Sequence, residues 1–161
     1  MYMKVALVIV VLLLMVVKVQ AQRVELVKFE RLQQLLTQPS DTTYVINFWA
    51  TWCKPCVTEL PTFEQINQQY AGQKVRVLLV SMDFAKDMLT RVVPFVERWQ
   101  LANAVWLLHE PDYNSWINKV SRQWSGAIPA TLILNNKKRK RIFFEQPLEY
   151  AQLEKELREF L

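Results

Sequence analysis

Residues 44–61 of the chain have the sequence YVINFWATWCKPCVTELP, and this stretch decides the fold. Its first part, 44–49, is β-branched and aromatic with little alternation, which is typical of a central strand buried on both faces. The part from about residue 54 to 70 predicts an amphipathic helix, because apolar side chains recur at every third position: Val57, Leu60, Phe63 and Ile66. Cys53 and Cys56 therefore lie where a buried strand gives way to a helix.

The position of Cys53 at a predicted helix N-terminus determines its chemistry. Unpaired backbone N–H groups and the helix dipole favour a thiolate there, so we predict that Cys53 is a nucleophile. Pro55 lacks an N–H that the first turn would leave unbonded, and it keeps Cys56 close as the resolving thiol. Lys54, between the two thiols, tunes their pKa electrostatically. Attack by Cys53 on a partner's disulfide then gives a mixed disulfide that Cys56 resolves.

Cys53 and Cys56 could also serve in a structural disulfide or in a metal site. A disulfide is the default for two cysteines in an exported chain, but a loop enclosing only Lys54 and Pro55 removes little entropy from the unfolded chain. A structural zinc site usually needs four ligands, and the chain has two Cys and one His, so we expect no metal. The alternative function is a non-catalytic binding module with a structural disulfide or a metal-thiolate site.

The rest of the chain alternates predicted strands and helices, which indicates a single α/β domain. Strands are predicted at 24–29, 75–81 and 104–108, and a hairpin at 130–144 with its turn at Asn135 and Asn136. Helices are predicted at 29–36, at 87–99 with a kink or shortening at Pro94, at 112–124 with a cap at Asp112, and at 148–160. The 112–124 helix would present Trp116, Ile117, Val120 and Trp124 on one face.

Charge and glycine content exclude several function classes. The 161 residues include 20 Lys and Arg against 15 Asp and Glu, and five of the basic residues are consecutive, Lys137 to Arg141. Basic charge in one local run is not the spread basic face of a nucleic-acid binder, and we interpret it as a solvated hairpin tip. With only two glycines, no Gly-rich phosphate loop can be formed, so we expect no nucleotide cofactor and no other cofactor.

The N-terminus has the pattern of an export signal. An apolar run of 13 residues, from Val5 to Val17, follows Lys4 and precedes the small-residue ending Val19-Gln20-Ala21. The run is shorter than the ~20 apolar residues of a typical membrane span. We predict a signal peptide at 1–21 and a mature domain at 22–161, exported to the periplasm, with an uncleaved membrane anchor as the alternative.

The stretch 48–61, FWATWCKPCVTELP, resembles the active site of the thioredoxin-like TlpA/ResA family. A second match is 126–132, GAIPATL, which resembles the loop that carries a cis-proline opposite the active-site cysteines in the thioredoxin superfamily. The resemblance implies a thioredoxin fold, with a central mixed sheet flanked by helices. It also implies a TlpA-like strand–helix insertion, since 73 positions separate Cys56 from Pro129.

The resemblance also implies roles for residues outside the cysteine motif. Pro129 is expected in the cis form, and Glu59 is expected to act at the site, because Asn47 replaces the titratable Asp of thioredoxins. Substrate is expected to bind beside Cys53 at five positions: Trp52, Lys54, Pro55, Ile128 and Pro129. A peroxidase of the peroxiredoxin type is disfavoured, since its nucleophile follows a Thr three positions upstream where this chain has Ala50.

The function predicted from motif and resemblance together is a thiol-disulfide oxidoreductase that acts on protein disulfides or dithiols. TlpA/ResA-like proteins commonly reduce their partners, so we expect a monomeric reductant that a membrane-bound electron donor keeps reduced. The physical chemistry of the motif leaves the direction open. Lys54 favours the thiolate of Cys53, and stabilising the reduced form makes the pair more oxidising.

Overall fold

The computed structural model describes residues 24–161, so the predicted leader at 1–21 lies outside the described residues. The described part contains six strands: β1 (Val24–Val27), β2 (Thr43–Trp49), β3 (Val75–Ser81), β4 (Ala104–Leu108), β5 (Ala130–Asn135) and β6 (Lys140–Phe144). It also contains five α-helices: α1 (Phe29–Thr37), α2 (Lys54–Gln69), α3 (Val93–Trp99), α4 (Ile117–Val120) and α5 (Tyr150–Arg158).

The six strands form one mixed sheet in the order β1-β4-β3-β2-β5-β6. The strands β1, β4, β3 and β2 run parallel to one another, whereas β5 pairs antiparallel with β2 and β6 pairs antiparallel with β5. Two strand–helix units, β3–α3 and β4–α4, lie between α2 and β5 and account for the long separation of Cys56 from Pro129. This arrangement confirms the thioredoxin-like α/β fold.

Strand β2 is buried on both faces because helices cover the sheet on either side. On one face Asn47 hydrogen-bonds to Glu59 of α2, and the Trp49 ring lies 5.2 Å from that of Phe95 in α3. On the other face the Phe48 ring lies 4.5 Å from that of Trp124. On that same face the Trp116 ring lies 5.5 Å from that of Phe29 in α1 and 6.4 Å from that of Phe48. The predicted central strand is therefore confirmed.

The segment before α3 differs from its prediction. Instead of one helix from 87 to 99, the chain forms a 3-10 turn at Ala85–Asp87, a π-helical turn at Met88–Val92 and then α3 from Val93. Pro94 lies in the first turn of α3. The π-helical turn continues directly into α3, since the Val93 N–H donates to the Met88 carbonyl, and the altered bonding of that turn accommodates a proline, which has no N–H to donate.

The helix predicted at 112–124 is much shorter. Asp112 makes no side-chain cap, Tyr113–Ser115 is a 3-10 turn, and α4 has only four residues. Trp124 lies beyond α4, where its ring packs on Phe48 and its Nε1–H donates to the carbonyl of Ala127 at 2.8 Å. The tryptophan spacing reflects packing on the sheet rather than a continuous helix.

The basic run forms the tip of the β5–β6 hairpin and contacts the end of α5. Asn135 is the last residue of β5, and its side-chain oxygen accepts the main-chain N–H of Lys138 at 2.9 Å. The Lys138 Nζ donates to the carbonyl of Phe160 at 2.8 Å, and the Lys140 Nζ donates to that of Glu159. Two of the five charges thus satisfy carbonyl groups at the negative end of a helix.

None of the helices described between residues 24 and 161 has the length and apolar character needed to cross a bilayer.

Candidate redox site

Cys53 and Cys56 form a disulfide at the N-terminus of α2, with their Cα atoms 5.3 Å apart. Cys53 is the N-cap residue, and its Sγ accepts the main-chain N–H of Cys56 at 3.4 Å. The Cys53 residue is 6% exposed and Cys56 is fully buried. Of the two cysteines, only Cys53 therefore keeps any exposed surface, and the backbone N–H of Cys56 points at its sulfur.

The loop before β5 forms the opposite wall of the site. The Ile128–Pro129 peptide bond is cis, and the carbonyl oxygen of Ile128 lies 3.8 Å from the Cys53 Sγ. The antiparallel pairing of β2 with β5 brings the two walls together, because it places Phe48 opposite Ala130. Residues far apart in the sequence thus meet at one sulfur atom.

Glu59 is buried beneath the cysteine pair, on α2, and is only 5% exposed. One of its carboxylate oxygens accepts from the Asn47 Nδ2 at 2.7 Å, and the other accepts from the main-chain N–H of Leu148 at 2.8 Å. Burial raises the pKa of Glu59 from its ordinary 4.5 to about 7, against the two hydrogen bonds, which lower it. Glu59 can therefore both take up and release a proton near neutral pH.

Asn47 holds Glu59 in this position. Its Nδ2 group also contacts the Thr131 hydroxyl at 3.1 Å and the Ala130 carbonyl at 3.4 Å, which ties α2 to β5 through β2. Its Oδ1 atom is buried and has no hydrogen-bond partner among the described residues. An amide does not titrate, so Glu59 is the titratable group at this position.

The residues that flank the cysteines are open to solvent. Trp52 is 60% exposed, and Lys54 and Pro55 are exposed as well. Lys54 and Pro55 line a groove that continues past Glu59 to Leu148, between α2 and the segment before α5. Glu59 is thus buried but borders a groove open to water, which gives its proton a path to solvent.

Two acidic residues that support the site, Asp83 and Glu145, have no counterpart in the sequence predictions. The Asp83 carboxylate, just after β3, accepts from the Thr51 hydroxyl at 2.6 Å and from the Thr51 main-chain N–H at 2.9 Å. The Glu145 carboxylate accepts the N–H groups of Ser125 and Ala127 and so fixes the loop that leads to Pro129. The sequence feature that could have indicated Asp83 is the presence of an acidic residue shortly after a buried strand.

Within residues 24–161, no group of three or more Cys, His, Asp or Glu side chains is arranged to hold a metal ion. The arrangement can therefore support disulfide exchange at the two sulfur atoms and proton transfer by Glu59.

A helix-capping Cys-x-x-Cys disulfide that faces a cis-proline loop, on a mixed sheet with helices on both faces, defines a protein of the thioredoxin-fold class. More particularly, the chain belongs to the AhpC/TSA family, whose model matches residues 17–139.

Curated relatives agree with the sequence resemblance. The chain is 33% identical to the thioredoxin-like protein YneN of Bacillus subtilis over 93 residues, which are 58% of this chain and 50% of YneN. It is 37% identical to the thiol-disulfide oxidoreductase ResA of Oceanobacillus iheyensis over 57 residues, 34% of this chain and 30% of ResA. The resemblance to ResA-like proteins is confirmed, and the matched segments span half or less of these relatives.

A solved structure supports the fold independently. The thioredoxin-related protein from Neisseria meningitidis serogroup B superposes with a TM-score of 0.66 at 17% identity, over 78% of this chain and 89% of the other.

Proposed function

We propose that the protein is an exported thiol-disulfide oxidoreductase that reduces protein disulfides through Cys53 and Cys56. One observation carries this proposal: the cysteines are unequal, since Cys53 caps the N-terminus of α2 and keeps 6% of its surface exposed, while Cys56 is fully buried behind it. A nucleophile that meets the partner and a second thiol that meets only the nucleophile are what disulfide exchange requires.

The reduced protein transfers two electrons in two steps. The Cys53 thiolate attacks one sulfur of the partner's disulfide, forms a mixed disulfide and expels the partner's other sulfur as a thiolate, which takes a proton from water. Cys56 then loses its proton and attacks the Cys53 Sγ, which releases the partner's first sulfur and leaves the Cys53–Cys56 disulfide. The partner gains two electrons, and each of its two thiolates takes a proton from water. The protein loses two electrons together with two protons, one when the Cys53 thiolate forms and one from Cys56.

Glu59 is the proton acceptor for Cys56 in this scheme. It lies one helical turn after Cys56 on α2, and its pKa of about 7 lets its carboxylate accept a proton near neutral pH. The groove past Lys54 and Pro55 then returns the proton to water.

The exposed residues around Cys53 form the partner-binding surface. Trp52 offers an exposed apolar ring beside the nucleophile, and Lys54 and Pro55 border the same opening. Ile128 and Pro129 supply the wall along which the partner's cysteine-bearing segment lies, since the Ile128 carbonyl is already within 3.8 Å of the Cys53 sulfur.

The cellular setting rests on the sequence. The apolar run from Val5 to Val17 and the ending at Ala21 support export to the periplasm, either free or anchored by an uncleaved leader. In an oxidising compartment a reductant needs a continuing source of electrons, so a membrane-bound donor is the expected partner, and the exchange needs only one copy of the chain.

Trapping tests the proposal. A Cys56→Ser variant cannot resolve the mixed disulfide, so it should remain covalently attached to its partner, whereas Cys53→Ser should trap nothing.

The reduction potential of the wild-type Cys53–Cys56 couple, measured against glutathione, gives the direction of electron flow. A value well below about −180 mV supports a reductant, and one near about −120 mV contradicts it. A Cys53 thiol that is unreactive in both assays would instead favour the non-catalytic binding module.

A further inference from the structure

Asp83 is a buried acid that the proposed exchange reaction does not use. It lies two residues beyond the end of β3 and is only 3% exposed. Its carboxylate accepts three hydrogen bonds, two from Thr51 and one from the Ser81 hydroxyl at 2.8 Å. None of the three ion pairs found within residues 24–161 includes Asp83.

The hydrogen bonds of Asp83 determine where the active-site turn lies. The β2–β3 ladder ends where Trp49 pairs with Ser81, and the Met82 N–H donates to the Trp49 carbonyl at 2.7 Å. Beyond that point Asp83 holds together the segments that follow β2 and β3, because its carboxylate binds both the main-chain N–H and the hydroxyl of Thr51. Thr51 begins the turn that carries Trp52 and Cys53, so the carboxylate fixes the base of that turn.

A neutral acceptor could make these contacts without the cost of burying a charge. The other charged side chains close to Asp83 in the chain do not compensate it. Lys86 lies over the Phe84 ring at 5.6 Å, Asp87 is 4.0 Å from Arg91, and Lys54 lies beyond Cys53 on the exposed side of α2. Asp83 therefore has no ion-pair partner among residues 24–161, and its carboxylate binds Thr51, two positions before Cys53.

We propose that Asp83 is a positioning residue of the redox site, which holds the Thr51–Trp52 turn and disfavours the thiolate of Cys53. The inference rests on the proposed disulfide exchange and deepens it. A like charge near the sulfur destabilises the reduced thiolate relative to the disulfide, which makes the couple a stronger reductant. This effect opposes the helix N-terminus and Lys54, both of which favour the thiolate.

The test compares Asp83→Asn with Asp87→Asn, which removes the same charge four residues further along the segment. For each variant we would measure the equilibrium constant of the Cys53–Cys56 couple with glutathione and the pH midpoint of Cys53 alkylation. Asp83→Asn should shift the equilibrium toward the dithiol by about tenfold and lower the midpoint by about one pH unit. Asp87→Asn should leave both within about twofold of wild type, because the Asp87 carboxylate is partly open to solvent and lies 4.0 Å from the Arg91 guanidinium, which offsets its charge.

A second variant separates position from charge. Thr51→Val keeps the side-chain shape and the Asp83 charge but removes the hydroxyl that donates at 2.6 Å. It should slow the reaction of reduced protein with oxidised glutathione severalfold while the equilibrium constant changes little. If Asp83→Asn does not fold, Thr51→Val decides, and an unchanged rate overturns the proposal.

The outcomes distinguish this inference from the function beneath it. If the wild-type protein does not exchange disulfides with glutathione, the proposed function itself is contradicted. If wild type reacts, and a folded Asp83→Asn variant has the same equilibrium constant with glutathione, only the proposed role of Asp83 is contradicted. A lower melting temperature with no change in either redox measurement would likewise show that Asp83 is structural alone.

Discussion

Cys53 and Cys56 differ in the surroundings of their sulfur atoms, and this difference is testable in the reduced protein. The helix N-terminus stabilises a thiolate at Cys53, while Cys56 is fully buried. We expect iodoacetamide near neutral pH to label Cys53 more than about tenfold faster than Cys56, as measured by peptide mass spectrometry. The single variants Cys53→Ser and Cys56→Ser serve as controls, and faster labelling of Cys56 would reverse the assignment.

The raised pKa of Glu59 makes the stability of the oxidised protein depend on pH. Folding moves this pKa from 4.5 to about 7, so the folded state binds the proton more tightly than the unfolded state does. The stabilisation is fully present below the unfolded value and is lost as the pH rises through about 7. Between pH 5 and pH 8, the free energy of unfolding of wild type should therefore fall by about 2 kcal/mol relative to Glu59→Gln.

Urea titrations of both proteins at a series of pH values measure this difference. Parallel pH curves for wild type and Glu59→Gln would contradict a perturbed carboxyl. If Glu59 accepts the Cys56 proton, Glu59→Gln should also slow the reduction of oxidised glutathione by the reduced protein. An unchanged exchange rate would leave Glu59 with a structural role.

At the residue scale, local sequence predicts the cysteine motif but not the contacts that support it. The order of Cys53, Pro55 and Cys56 at a strand–helix junction is visible within a few residues. The acceptor for Thr51 is 32 positions away, and the N–H that binds Glu59 is 89 positions away. Both depend on the register of paired strands and on the path of a loop, which composition and periodicity do not determine.

The conformation of the loop that leads to Pro129 can be tested at its glycine. Gly126 has φ +98, and an added Cβ would meet the Ile117 Cδ1 at 3.1 Å. Gly72, at the end of the turn after α2, has φ +80 with open space around it. We expect Gly126→Ala to reduce the free energy of unfolding by about 2 kcal/mol and Gly72→Ala by about 1 kcal/mol, because only the former adds a contact to the backbone strain.

Chemical denaturation of the two variants measures the difference directly. A Gly126→Ala protein as stable as Gly72→Ala would show that Ile117 moves aside without cost. Since Glu145 binds the main chain on both sides of Gly126, the same substitution should also slow mixed-disulfide formation at Cys53.

Periodicity predicts elements well where one face packs on a sheet and poorly where aromatic rings decide the path. Helix α2 lies within one residue of its predicted bounds, because its apolar stripe covers β2 and no competing packing interrupts it. The tryptophans at 116 and 124 have the spacing expected of a helix, but their rings contact each other at 5.5 Å across a loop. Side-chain packing thus overrides the helical pattern there.

For the molecule as a whole, the disulfide should matter little to stability. The loop it closes contains so few residues that the entropy model gives it at most about 2 kcal/mol. The large core side chains Leu32, Trp49 and Phe63 are fully buried and hold the elements together whether or not the two sulfur atoms are bonded. We therefore expect a Cys53→Ser/Cys56→Ser protein to keep the far-ultraviolet circular dichroism of wild type and to melt cooperatively.

Reduced wild type is the matched control for this double variant, since it also lacks the bond but keeps the sulfur atoms. Loss of folding in both would identify the disulfide as a structural staple and would favour the non-catalytic binding module.

The antiparallel pairing of β2 with β5 means that the two walls of the site are synthesised at very different times. The thiols leave the ribosome long before the proline loop that shields them, and β5 can dock only after β3 and β4 exist. Until β5 docks, the emerging thiols are thus open to any oxidant or neighbouring chain. A site joined across distant segments acquires its selectivity only after the later segment has been synthesised.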